Sequence, residues 1–225
     1  MQFNYRFYQF LFCHAPIDQV VKAMCTFLGK ETTCWKGLRS GKYNQKIIDS
    51  ACYDNAKYHN PPKERMIFFA PNITPGFTAS TITGLYTWNN WIGTGDPTFD
   101  HLCVQFTTDD KDENAIRSLE LMRGNKRYQR FIRVWKDPRW ELTVDGEPQP
   151  FEDGKSFDKI KGKRIKDYFT LQDLIRFSSN WGCPFDKDEF WASDQLMYGF
   201  GDLDDDDNSA DWQNENFESW KSLSK

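Results

Sequence analysis

The sequence contains no long apolar segment and no export signal. Its longest apolar runs, such as FLF at 10–12 and MIFFA at 66–70, have the length of strands, whereas a membrane-spanning helix needs about 20 apolar residues. The aromatic N-terminal region is interrupted by Gln9 and has no small-residue cleavage site. We therefore expect a cytoplasmic protein that starts at Met1, in a reducing compartment, with no membrane partner.

Paired cysteines and common catalytic motifs are also missing. The six cysteines occur singly, which favours buried free thiols over disulfides or a zinc module. The chain has only three histidines and no Gly-x-Ser-x-Gly, His-Glu-x-x-His or phosphate-loop motif. One arrangement leaves a zinc site open, because Cys13-His14 would meet His101 and Cys103 if their strands were neighbours. Cys–His catalysis also stays open, because its partners are distant from each other in sequence. The prediction is nevertheless that no metal or other cofactor is bound.

Aromatic and charged residues are abundant, and their patterns indicate an α+β fold. With 225 residues, 16% of them aromatic, the chain can bury a core without cross-links. Apolar spacing predicts a helix at about 16–29 that Pro16 opens, and a second at about 170–181 that begins at Thr170. Asp173 completes a capping box with Thr170. A further helical turn is predicted to start at Asp186.

Alternation predicts strands at 2–12, 66–70 and 101–108, with a bulge at Tyr8-Gln9 where the alternation shifts phase. No structure is assigned to 74–100, and 31–64 is read as a long connection with a short helix near its middle. Because strands occupy the middle of the chain and no glycine-rich strand-to-helix turn is present, we predict a central antiparallel sheet in one domain, 1–200, followed by a tail at 201–225.

A hairpin is the clearest β feature. Strands are predicted at 126–136 and 139–144, with turns at 136–139 and at Asp145-Gly146. Period-two alternation places Phe131, Arg133 and Trp135 on one face of the first strand and Arg130, Ile132 and Val134 on the other, which we predict to be buried. Acidic residues around the hairpin are interpreted as turn residues: Glu141, Asp145, Glu147, Glu152 and Asp153.

The charge is distributed unevenly. Residues 201–225 carry eight acids and two lysines, a net charge of −6, whereas the whole chain carries −4. The remainder is therefore slightly basic. Candidate basic-patch residues are Arg127, Arg130, Arg133, Lys161, Lys163 and Arg164. Candidate partner-binding residues in the tail are Asp204, Asp205, Asp206, Asp207, Asp211, Trp212, Phe217 and Trp220.

The aspartate run does not fit an EF-hand calcium loop. A loop that starts at Asp204 has Ser209 where glycine is required and Asp211 where an apolar residue is expected. An acidic, aromatic-punctuated segment is instead suited to steering and anchoring a cationic partner, although a solvated tail has the same composition.

The runs RFIRVWKDPRWELTVDGEPQPFED and KGKRIKDYFTLQDLIRFSSNWG, within 130–182, resemble a pattern in uncharacterised bacterial proteins, some of them suspected toxin-immunity proteins. This resemblance implies an inhibitor that binds a basic toxin or nuclease domain, and it implies no catalytic residue.

The leading hypothesis is a non-enzymatic protein-binding module of immunity or inhibitor type, with a cognate protein partner. The alternatives are an enzyme of unrecognised type and a nucleic-acid binder whose basic hairpin at 123–139 is masked by the acidic tail. The acidic overall charge and the lack of an RNA-binding motif disfavour nucleic acid.

Overall fold

A computed structural model describes residues 7–30, 38–42, 65–83, 98–123, 129–158, 161–201 and 218–219. The elements in chain order are β1 (Phe7–Cys13), α1 (Ile17–Lys30), β2 (Leu38–Lys42), β3 (Arg65–Phe69), β4 (Thr78–Thr83), β5 (Asp100–Thr107), β6 (Ile116–Arg123), β7 (Arg130–Lys136), β8 (Trp140–Gly146), η1 (Pro150–Glu152), η2 (Ile165–Asp167), α2 (Leu171–Asn180), η3 (Asp188–Trp191), β9 (Leu196–Gly201) and β10 (Glu218–Ser219). The elements labelled η are short 3₁₀ helices.

The strands form one antiparallel sheet in the order β10-β2-β9-β3-β4-β1-β5-β6-β7-β8. The prediction of an α+β fold with a central antiparallel sheet and two helices is therefore confirmed. β9 ends at Gly201, and β10 belongs to the segment predicted as a tail but pairs with β2 through Glu218↔Ser40 and Ser219↔Arg39. The two ends of the strand order are thus β10 and β8.

Two apolar clusters cover the sheet, one on each face. On the α2 face, Phe10 and Val104 pack with Phe177, Phe185 and other aromatic side chains of the chain's C-terminal third. On the α1 face, Val20 and Met24 pack against strand residues including Leu11 and Phe68. Each helix therefore buries its apolar stripe against its own side of the sheet.

The prediction of a bulge at Tyr8-Gln9 is wrong. β1 pairs with β5 without a skipped residue, from Phe7↔Thr107 to Cys13↔His101. Tyr8 and Leu11 are both buried, on opposite faces. The apolar pattern shifts phase because β1 is covered on both sides, so its alternation does not reflect one solvated face.

Local sequence signals explain the second helix well. The Thr170 hydroxyl accepts a hydrogen bond from the Asp173 amide, and the Asp173 carboxylate accepts one from the Thr170 amide. These two bonds form the predicted capping box. After the helix, Gly182 has a φ of +111°, which a residue with a Cβ rarely adopts.

Candidate interaction surface on strands β6 to β8

The α1 face of β6, β7 and β8 carries mainly polar side chains. Pairing places Ser118 beside Arg133 and Glu120 beside Phe131, while Arg133 lies beside Thr143 on β8. Their neighbours in the β6 and β7 strands, Leu119 and Ile132, belong to the core on the other face. Side chains alternate along a strand, so the polar residues share the α1 face.

Arg133 lies between two aromatic rings at the centre of this area. Its guanidinium carbon is 5.3 Å from the centre of the Phe131 ring and 4.9 Å from that of the Trp135 ring. All three side chains are half-buried. Among the described residues, Arg133 Nε and Trp135 Nε1 have no hydrogen-bond partner. Cation–π attraction to the two rings and the charge of nearby Glu120 compensate the buried part of the guanidinium.

Glu120 adds a partly buried carboxylate to the same area. Burial raises the pKa of Glu120, and the nearby Arg133 charge and the Ser118 hydroxyl offset part of that rise. The direction of the shift shows that desolvation is the largest influence on this carboxyl group. A cationic group from outside the chain would favour its charged form further.

β8 supplies exposed carboxylates at the margin. Glu141, Thr143 and Asp145 alternate with Trp140, Leu142 and Val144, and the first three are exposed while the second three are half-buried. Glu141 pairs with Trp135, and Asp145 pairs with Phe131. We call the resulting area the acidic sheet surface: Glu120, Phe131, Arg133, Trp135, Glu141 and Asp145. It has aromatic residues and one arginine at its centre and exposed acids along one side.

The residues of the predicted basic patch do not come together. Arg130 is only 4% exposed; it donates hydrogen bonds to Glu152 Oε2 at 2.7 Å and to the Gly146 carbonyl at 2.6 Å. It therefore ties β7 and β8 to η1 rather than facing solvent. Arg127 lies outside the described residues.

The remaining basic candidates lie on the other side of the sheet from Arg133. Arg164 is exposed and paired with Asp167 at 2.8 Å, Lys161 is exposed, and the ammonium of Lys163 is 4.4 Å from the centre of the Tyr168 ring. Arg117 donates to the carbonyl of Lys166 in the neighbouring η2, and its pairing with Val134 places η2 on the α2 face. Arg133 projects to the α1 face.

The predicted tail residues Asp204, Asp205, Asp206, Asp207, Asp211, Trp212, Phe217 and Trp220 all lie outside the described residues. The strands that flank this segment, β9 and β10, are at the opposite end of the strand order from β8. The acidic sheet surface is formed by other residues, and sequence reasoning missed it because it interpreted Glu141 and Asp145 as turn residues. The face assignment of Phe131, Arg133 and Trp135, together with strand pairing, was the signal that pointed to it.

The arrangement considered for zinc or for Cys–His catalysis is partly formed. β1 and β5 are neighbours, with Cys13 opposite His101 and Leu11 opposite Cys103. Burial raises the pKa of the Cys13 thiol well above its usual value and lowers the pKa of His101 to about 4, so both are neutral at pH 7. His14 is exposed and stacks on Phe77 with ring centres 4.5 Å apart. No cluster of three or more potential metal-ligating side chains occurs in the described part of the chain.

Comparisons with known proteins returned no matching family model, no matching curated protein and no matching solved structure. Across the described ranges, none of the helices has the length and apolar character needed to cross a membrane.

Proposed function

We propose that this chain is a non-enzymatic protein-binding module of immunity or inhibitor type, which engages a cationic protein partner through the acidic sheet surface. The observation that carries the proposal is the placement of exposed Glu141 and Asp145 beside the half-buried Phe131, Arg133 and Trp135. The earlier resemblance to toxin-immunity proteins motivates the inhibitor type.

The layout of this surface resembles the usual anatomy of a protein interface. Tryptophan and arginine are enriched among residues that dominate binding energy, and they act best when surrounding groups exclude water. Trp135 and Arg133 occupy such central positions, whereas Glu141 and Asp145 lie at the rim. Rim carboxylates accelerate association with a basic partner and discriminate against acidic ones.

The acidic segment within 201–225 contributes to the proposal through its sequence. Its net charge of −6 would attract the same class of partner, with Trp212, Phe217 or Trp220 as anchors. We assign the steering role to the carboxylates of this segment, with its aromatic residues as additional anchors, and the main contact to the acidic sheet surface.

The observed placement of the basic residues favours a protein partner over nucleic acid. A phosphate backbone is held by several cationic groups along one surface, yet Arg133 lies on the α1 face, Arg164 belongs to the α2 side and Arg130 is buried. The enzyme alternative has no support from Cys13 and His101, whose neutral forms do not provide a thiolate–imidazolium pair.

The test is affinity capture from the source organism with three tagged proteins: the wild type, a double charge reversal Glu141→Lys/Asp145→Lys, and a matched control Glu189→Lys/Asp194→Lys. All four positions are exposed, so both variants change the charge equally on the surface. We expect quantitative mass spectrometry to find a basic protein enriched by the wild type and the control but depleted by the β8 variant. Equal recovery of that partner by the β8 variant would refute the assignment of the surface.

A further inference from the structure

β8 is the last strand of the sheet and uses only one of its two edges. It pairs with β7 from Arg130↔Gly146 to Lys136↔Trp140, and no second strand pairs with it among the described residues. An edge of this kind presents backbone groups that can pair with another chain.

The hydrogen-bond pattern identifies which backbone groups face outward. The Asp137 amide donates to the Arg139 carbonyl at the start of the hairpin. In an antiparallel pair, residues that bond to the partner strand alternate with residues whose amide and carbonyl groups point away. Odd-numbered residues of β8 therefore bond to β7, and the amide and carbonyl groups of Leu142 and Val144 point to the free edge. None of these four backbone groups makes a hydrogen bond within the described ranges.

The side chains of β8 define what a neighbouring strand would need. On the α1 face, an added strand would lie beside exposed Glu141, Thr143 and Asp145. On the α2 face it would lie beside Trp140, Leu142 and Val144, which are half-buried and pack against the core. Cross-strand neighbours interact most favourably when charges are opposite and apolar groups match. The complementary strand has basic residues at alternate positions and apolar residues between them.

We propose that β8 accepts an antiparallel strand of the partner protein, with alternating basic and apolar residues, as an eleventh strand of the sheet. The inference rests on the proposed function and specifies how the cationic partner is held. Backbone bonds to Leu142 and Val144 supply affinity, while Glu141 and Asp145 select basic side chains. The competing explanation is that the carboxylates only protect an exposed edge from association, since charged residues commonly have that role.

Three fluorescent peptides distinguish these explanations. The first is Lys-Val-Lys-Val-Lys-Val-Lys, whose valines lie opposite Leu142 and Val144 in the proposed register. The second carries N-methyl groups on its valines, which removes the amides that would bond to β8. The third carries N-methyl groups on the backbone amides of its lysines, which would point away from β8. All three peptides have the same charge. The two methylated peptides differ in whether the amides that they lose would face β8 or face away from it.

Binding to the full-length protein is measured by fluorescence anisotropy. We expect the parent and the lysine-methylated peptide to bind, and the valine-methylated peptide to bind at least about tenfold more weakly, since it loses several hydrogen bonds. Val144→Pro removes one outward amide and should weaken binding of the parent peptide more than Val144→Ala, which shortens the side chain but keeps the amide; circular dichroism checks that both variants are folded.

Two results would overturn the inference. If the valine-methylated peptide binds as well as the parent, charge alone holds the peptide, and the proposed function stands without strand addition. If no peptide binds at low salt, the edge is protected rather than receptive. The proposed function then depends on the capture experiment, in which Glu141→Lys/Asp145→Lys is read against a whole partner protein.

Discussion

Arg130 shows how a residue predicted to belong to a basic surface patch becomes part of the core. Its side chain is 5% exposed and that of its partner Glu152 is 1% exposed. Glu152 also accepts a hydrogen bond from the Gln149 amide at 2.7 Å, and the Arg130 guanidinium lies 5.6 Å from the centre of the Phe157 ring. The pair is stable because both charges are paired and hydrogen-bonded, and it joins β7 to the chain beyond β8.

Removing one member of this pair should be far more damaging than removing both. We predict that Arg130→Met lowers the free energy of unfolding by about 3 to 5 kcal/mol, because it leaves the Glu152 carboxylate buried without its counter-ion. The double variant Arg130→Met/Glu152→Leu should recover part of that loss. Urea denaturation followed by circular dichroism measures both, and a double variant that is less stable than Arg130→Met would contradict this account.

His101 should make stability depend on pH. Burial lowers its pKa from 6.5 to about 4 in the folded chain, against the smaller opposing effects of the Phe99 carbonyl and Asp100. The unfolded state therefore binds a proton below pH 6.5 while the folded state stays neutral until about pH 4. The contribution of His101 to the free energy of unfolding is fully present above pH 6.5. It is lost as the pH falls toward 4, by about 3 kcal/mol in total.

The measurement is the free energy of unfolding of the wild type and of His101→Gln between pH 7.5 and pH 4. The wild-type curve should fall more steeply below pH 6.5, whichever protein is more stable at neutral pH. Parallel curves would show that His101 does not supply this pH dependence.

Among the helices and strands, the sequence predicted those elements whose formation depends on neighbouring residues in the chain. The two helices followed from apolar spacing together with Pro16 at one start and the Thr170–Asp173 box at the other. The β7–β8 hairpin followed from alternation and turn residues, and the prediction that Ile132 and Val134 are buried is confirmed. Cys13, Cys103 and Cys183 are free and buried, as predicted.

β6 was missed because its pattern contains charges at positions that the fold buries. Arg117 lies on the α2 face at 6% exposure, where its guanidinium bonds to the Phe169 carbonyl and pairs with Asp110. The Phe169 carbonyl is 52 residues away in the chain, so no local pattern could reveal that this arginine is hydrogen-bonded inside. The acidic sheet surface was missed for the same reason, since it exists only once β6, β7 and β8 are neighbours.

Gly146 has a specific role at the end of β8. Its φ is +79°, and a Cβ at this position would overlap the Gln129 carbonyl of the neighbouring segment. Gly154 has a similar φ of +69° but open space around it. We predict that Gly154→Ala costs about 1 kcal/mol from backbone strain alone, and that Gly146→Ala costs at least about 2 kcal/mol more. Thermal unfolding compares the two, and equal losses would show that the close approach to Gln129 is unimportant.

At the level of the whole molecule, the chain has two acidic regions. One is the exposed margin of β8, and the other is the segment between β9 and β10, whose charges were evident from composition. The first could not be predicted from the sequence, because strand order decides which side chains lie beside those of β8. Electrostatic steering acts over distance, and we assign the contact to the acidic sheet surface because half-buried aromatic residues lie beside its carboxylates.

The steering role predicts a kinetic effect. Replacing Asp204, Asp205, Asp206 and Asp207 with Asn should slow association with the captured partner by about threefold to tenfold at low salt and leave dissociation unchanged. The difference should shrink at high salt because added ions screen exposed charges. Surface plasmon resonance gives both rates; a faster dissociation would assign these aspartates to the contact instead.

Hydrogen–deuterium exchange of the complex tests whether the acidic sheet surface is where the cationic partner binds. The wild-type protein is compared with and without the partner identified by capture. We predict slower exchange in β6, β7 and β8, centred on 131–135 and 141–145. Protection confined to the η2 and α2 side, with β6 to β8 exchanging as in the free protein, would contradict the claim.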